Sequence, residues 1–170
     1  MQFLGIILFS VVAAIVYGIL HDQVTARVCV EYFTIGHAPI FGTDDPTLLG
    51  LGWGILATWW VGAFLGIGLA VAARVGSRPG RTVRSLVRPV VLLLLFTGTG
   101  ALVAGVIGWI LASQGWVVLM PPLALEVPPE KHTAFLADLW AHSASYLLGL
   151  AGGAIVCVRV LYSRYRGPTL

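Results

Sequence analysis

Four runs of apolar residues, at positions 3–20, 48–73, 89–112 and 135–158, divide the chain. Each is close to the about 20 residues that a helix needs to cross hydrocarbon. Polar residues are confined to the connections and to the ends of the runs. The pattern predicts an all-α integral membrane protein, a four-transmembrane-helix bundle with a longer first extracytoplasmic loop, built as a single membrane domain over residues 1–170. The first run has no Lys or Arg ahead of it and no small-x-small cleavage pattern, so it reads as a retained helix and not as a signal peptide. Asp45-Pro46-Thr47 supplies an N-cap and a first-turn proline for the second helix. Pro89 is expected to open the third, and Val127-Pro128-Pro129-Glu130 precedes the fourth.

Only 10% of the residues are charged, against about 25% in soluble domains, and the charges are sorted by sign. All seven acidic residues and all four histidines fall in the connection 21–47 or between residues 126 and 142. Eight of the ten basic residues fall between residues 74 and 88 or between 159 and 166. Lys and Arg accumulate on the cytoplasmic side of a membrane, so both termini are expected to be cytoplasmic and the acidic, His-bearing connections outside. The Arg-rich, Lys-poor chain suits a bacterial inner membrane. Its basic residues lie beside apolar runs and read as orientation and lipid contact; no nucleic-acid-binding motif is present. Cys29 and Cys157 fall at opposite ends of the spans, about 30 Å of hydrocarbon apart, so they are read as small apolar fillers and not as a disulfide.

Small residues recur every four positions in three of the runs: Gly50, Gly54, Thr58, Gly62, Gly66 and Ala70; Gly100, Ala104, Gly108 and Ala112; Ala137, Ala141, Ser145, Gly149 and Gly153. Such faces let backbones approach closely in lipid. They predict compact packing within the bundle, or a seam with a second copy or another membrane subunit. The segment 28–34 is β-branched and aromatic and fits either a short strand or an extension of the first helix. It is too apolar to be disordered and should pack across the mouth of the bundle.

The spans carry no charge at mid-depth, which disfavours an ion-coupled transporter or a charge-ringed channel. Candidate chemistry gathers at the acidic end. Asp138 and His142 are four apart on one helical face, and His21 ends the first run beside Asp22. Glu31 and His37 belong to the connection that covers the same mouth. Imidazoles and carboxylates together form a ligand set for a divalent metal, Zn²⁺ or non-haem iron, with haem a weaker fit. In this reading His21, His37 and His142 are metal ligands, Glu31 is a ligand or general base, and the Asp138 carboxylate orients His142. Cys29, near Glu31 and His37, is a candidate nucleophile. Trp53, Trp116 and Trp140 are expected in the interfacial belt, and Trp59 and Trp60 in buried packing. The competing reading is a non-catalytic accessory subunit whose small-residue faces dock a larger membrane complex.

Overall fold

The computed structural model describes residues 1–165 and is helical throughout, with no strand among the described residues. Helix α1 spans Gln2–Val28, α2 Val30–Thr34, α3 Pro46–Leu56, α4 Trp59–Arg74, α5 Val83–Ser113, α6 Leu123–Glu126 and α7 His132–Tyr165. Four helical segments are long and apolar enough to cross a membrane: α1, α3 with α4, α5, and α7 with its preceding turn. The chain is an all-α, multi-pass membrane protein. Leu4, Leu8, Val12, Val16, Leu20 and Val24 form one exposed apolar strip along α1, as lipid contact requires.

Every span extends beyond its apolar run, for local reasons. Helix α1 does not stop at Leu20, because no Gly or Pro interrupts residues 19–28 and the helical period continues. Asp22, Thr25 and Ala26 turn inward while Leu20, Val24 and Val28 face out. It ends where Cys29 becomes extended, and α2 follows as little more than one turn. That resolves the strand-or-helix alternative for residues 28–34 in favour of helix.

The second span breaks at Ala57–Thr58, where the Thr58 hydroxyl donates back to the Gly54 carbonyl. Its start is capped as the sequence implies, with Asp45 Oδ1 accepting from the Thr47 and Leu48 amides at 2.9 Å each. Pro89 lies inside α5 instead of opening it. The helix begins at Val83 with its arginines in the first turns.

At the basic end, Arg164 is buried and donates to the carbonyls of Ala72, Val75, Arg78 and Pro79. Arg81 donates to Ser163. These two arginines therefore tie the end of α4 and its following loop to α7, a structural role beyond orientation. Arg166 lies outside the described residues.

The bundle is two tight helix pairs. Antiparallel α1 and α3–α4 touch backbone to backbone. A Cβ on Gly54 would lie 2.6 Å from Ile19 Cα, one on Gly62 2.8 Å from Val11 Cα, and one on Gly50 3.0 Å from the Asp22 carbonyl oxygen. Helices α5 and α7 form the second pair, where Gly108 receives the Trp140 side chain and Gly105 faces Ala137 and Ala141. The small-residue faces are thus used inside the bundle. The pairs meet through α4 and α7, while α1 makes few contacts with α5 or α7.

Aromatic and apolar residues close the acidic end, with Phe33, Leu49, Val127 and Phe135 fully buried. Ile6, Ala70, Ala73 and Leu86 close the basic end. The tryptophans depart from expectation. Trp53 is buried against Phe41, whereas Trp59 and Trp60 are half-exposed on the lipid-facing side, where α4 begins at the break in the second span.

Gly54→Ala forces a Cβ against the Ile19 backbone, which cannot retreat without separating the helices. It should lower stability by about 1–3 kcal/mol, the usual cost of overpacking. Gly42→Ala, where the added carbon meets nothing within 4 Å, should leave the thermal midpoint in detergent unchanged. Equal midpoints for the two variants would contradict the close packing of α1 on α3.

Candidate metal centre

Where the two pairs face each other, α1 presents His21 and Asp22 and α7 presents His142. Asp22 lies four residues beyond Gly18, on the same face that lets α1 approach α3, so it is carried into the interior. The His142 Nε2 lies 3.3 Å from Asp22 Oδ1. The His21 and His142 rings meet edge to face with centroids 4.6 Å apart. Tyr32 from α2 stacks on His142 at 4.5 Å. Asp22 and His142 are buried, and one ligand atom from each of His21, Asp22 and His142 lies within 4.8 Å of the other two.

The hydrogen bonds of His142 decide the chemistry of this contact. Its Nδ1 is 2.8 Å from the backbone carbonyl of Asp138. A carbonyl only accepts, so Nδ1 carries a hydrogen. In the neutral ring, Nε2 then presents a lone pair to a carboxylate oxygen. Two lone pairs in contact need a proton or a cation between them. An imidazole whose second nitrogen donates to a backbone carbonyl is also the usual arrangement of a metal-ligating histidine. His21 adds a second demand, because its Nε2 is buried without a hydrogen-bond partner.

The other expected site residues are placed as follows. The Asp138 side chain is buried, and its backbone, not its carboxylate, holds His142; Oδ2 has no partner. The carboxylate facing His142 comes instead from Asp22, the chain neighbour of His21. The available signal was its place four residues after Gly18, on a face too crowded for anything but the interior.

His37 lines the same cavity but stands outside the triad. Its Nδ1 is 2.8 Å from the Tyr32 carbonyl and its ring packs on Trp53. Glu31 does not line the cavity: Lys131 Nζ lies 3.3 Å from its Oε1, and the Cys29 thiol donates to its Oε2 at 3.4 Å. His132 is engaged with the Val127 carbonyl at 3.0 Å. With the His21 and His142 rings in contact, no macrocycle fits between them, so the geometry opposes a haem held by this pair.

A mainly apolar cavity of about 140 Å³ opens below the triad, between the helix pairs. It passes Tyr17 and Ser145, whose hydroxyls hydrogen-bond at 2.8 Å across the seam, and reaches Leu69, Val156 and Cys157. A metal held by the triad would lie next to this mainly apolar chamber.

Two groups outside the spans have shifted pKa values. Burial pushes the Cys29 thiol up to about 12, and acceptance by the nearby Glu31 carboxylate adds to it. Cys29 is therefore protonated and inert at neutral pH, which removes it as a nucleophile. Burial alone would raise Glu31. Hydrogen bonds from its own amide and the Cys29 thiol, with the Lys131 ammonium, outweigh that and hold it below the ordinary glutamate value.

A lowered folded pKa gives stability that is complete above the unfolded value and is lost as pH falls through the folded one. Lys131 is 43% exposed, so screening limits the pair to under about 1 kcal/mol. Glu31→Gln should melt slightly below wild type at neutral pH, and the difference should vanish below the folded pKa. A difference that widens with acid would contradict the pairing. Cys29 should resist maleimide in the folded protein at pH 7.5 and react on unfolding.

No protein-family model, curated protein or solved structure matches the chain, so what this centre does rests on its own residues.

Proposed function

We propose that this is a membrane metalloprotein in which His21, Asp22 and His142 hold a divalent transition-metal ion near the extracytoplasmic surface. The observation that carries the reading is the 3.3 Å approach of His142 Nε2 to Asp22 Oδ1 with Nδ1 already committed to a carbonyl. Metal–ligand bonds of about 2.0–2.2 Å place two ligand atoms of one ion about 3.0–3.4 Å apart, so the two sites are already spaced for a shared ion. Two imidazoles and one carboxylate suit Zn²⁺ or Fe²⁺ better than Mg²⁺ or Ca²⁺, which prefer all-oxygen sites. Three protein ligands leave positions open, the arrangement of a catalytic site more than of a closed structural one. His37 stands at the cavity wall as a reserve ligand or hydrogen-bonding group for whatever occupies those positions.

The orientation follows from the charges. Glu31, Asp138 and the triad share one end and the arginine-rich segments the other, which by the positive-inside rule supports a cytoplasmic location for the arginine-rich end, in our reading at a bacterial inner membrane. A green fluorescent protein fused after Leu170 should therefore fluoresce, and a dark, stably expressed fusion would reverse the assignment.

Protein purified in detergent and loaded with Zn²⁺ or Co²⁺ should retain about one ion per chain. The Co²⁺ form should show visible d–d bands. His142→Ala and Asp22→Asn should each weaken retention more than tenfold, and Glu31→Gln should not. At a free-metal concentration of 100 times Kd, the ion should stabilise the fold by about 2.7 kcal/mol. A wild-type protein that keeps no ion, and melts alike with and without metal, would contradict the proposal.

A further inference from the structure

Besides the chamber below the triad, a wider groove of about 520 Å³ lies on the bilayer side, between α1 and the α5–α7 pair. That size falls within the range of small-molecule sites. Small residues, Gly98 and Gly105 of α5 and Ala141 of α7, form part of its wall and leave room there. Space between helices is by itself only space. What marks this one is its lining by Asp138, whose Oδ2 is buried without a hydrogen-bond partner.

Asp138 is 2% exposed. A carboxyl oxygen with no hydrogen bond in so apolar a place costs free energy until something pairs with it. Water is scarce at a lipid-facing wall, and Oδ2 itself has no hydrogen-bond partner in the protein.

We infer that the groove binds a membrane-borne amphiphile with a neutral, hydroxyl-bearing head, whose O–H donates to Asp138 Oδ2. Charge selects the head. The lining holds a carboxyl group and an imidazole, and no Lys or Arg, so a phosphate or carboxylate head would find no cation to pair with. The opening selects the entry path, since the rim residues Val106 and Trp109 are half-exposed on the lipid side. The tail can stay in the bilayer while the head enters. Tyr17 and His21, stacked nearly parallel at 5.8 Å, line both this groove and the inner cavity and form the wall between them. A head in the groove therefore lies one imidazole away from the proposed metal. The inference goes beyond the metal reading and shares only His21 with it.

Native mass spectrometry of the full chain in detergent tests this with three probes: a short-chain quinol (decylubiquinol), dodecanol and dodecanoate. At least one hydroxyl probe should form a one-to-one adduct, and the tighter of the two identifies an aromatic or an aliphatic alcohol as the natural class. Dodecanoate should bind at least tenfold more weakly. Asp138→Asn, isosteric and with the backbone carbonyl to His142 intact, should weaken the hydroxyl adduct about tenfold while leaving metal retention and melting unchanged. Val106→Trp, on the exposed rim, should abolish the adduct by filling the groove. Absence of any adduct, equal binding of dodecanoate, or adducts that survive both substitutions would overturn the inference. Metal retention, measured on the same samples, reports separately on the triad.

Discussion

Hydrocarbon offers helices no hydrophobic reason to associate, so in lipid the fold depends on how closely two backbones can come. Here glycines decide it. Gly18, Gly50, Gly54 and Gly62 bring α1 against α3 and α4 until an added methyl group would strike the opposite main chain. Small residues on α5 and α7 instead seat side chains of the facing helix, Gly108 taking Trp140 and Gly100 taking Leu148. Two tight pairs result, and they cannot be equally tight against each other because the remaining faces carry larger or polar side chains. The seam between the pairs is where these two cavities and the buried Asp22, Asp138 and His142 are found.

Polar groups in such a seam must find one another, because neither lipid nor bulk water satisfies them. Some do so completely. Tyr17 reaches Ser145, and at the basic end Arg164 satisfies four carbonyls. The acidic end is less complete: a proton or a cation must join His142 Nε2 to Asp22 Oδ1, and neither His21 Nε2 nor Asp138 Oδ2 has a partner. Buried groups left in that condition weaken a fold. They are accounted for together if the seam holds a cation on one side of His21 and a hydroxyl head on the other.

Much of the fold was legible in the sequence because spanning length, capping and spacing by four are one-dimensional signals. The Asp45 cap and the small-residue faces appear where those signals put them. Boundaries were less legible. Polar residues at 21–25 look like an ending, yet inside a bundle a polar residue at the right helical angle continues the span. Pro89 looks like a beginning, yet in lipid a proline within a helix is tolerated. The convergence of His21 and His142 could be anticipated from shared depth. The choice of Asp22 over Asp138 as the carboxylate facing His142 could not, because it depends on the rotation of α1 about its axis, which Gly18 and Gly54 fix through contact. Glu31 and His37 shared the right depth but were diverted by local partners, Lys131 and the Tyr32 carbonyl, that no spacing rule foretells.

The central claim is that α1 and α7 together supply two imidazoles and one carboxylate to a single ion. X-ray absorption fine structure at the zinc edge, on protein carrying one equivalent of Zn²⁺, reads that ligand set directly. The account predicts a nitrogen and oxygen shell at about 2.0–2.2 Å with the outer scattering of two imidazole rings. A sulfur shell at about 2.3 Å, or outer scattering from a single imidazole, would contradict it.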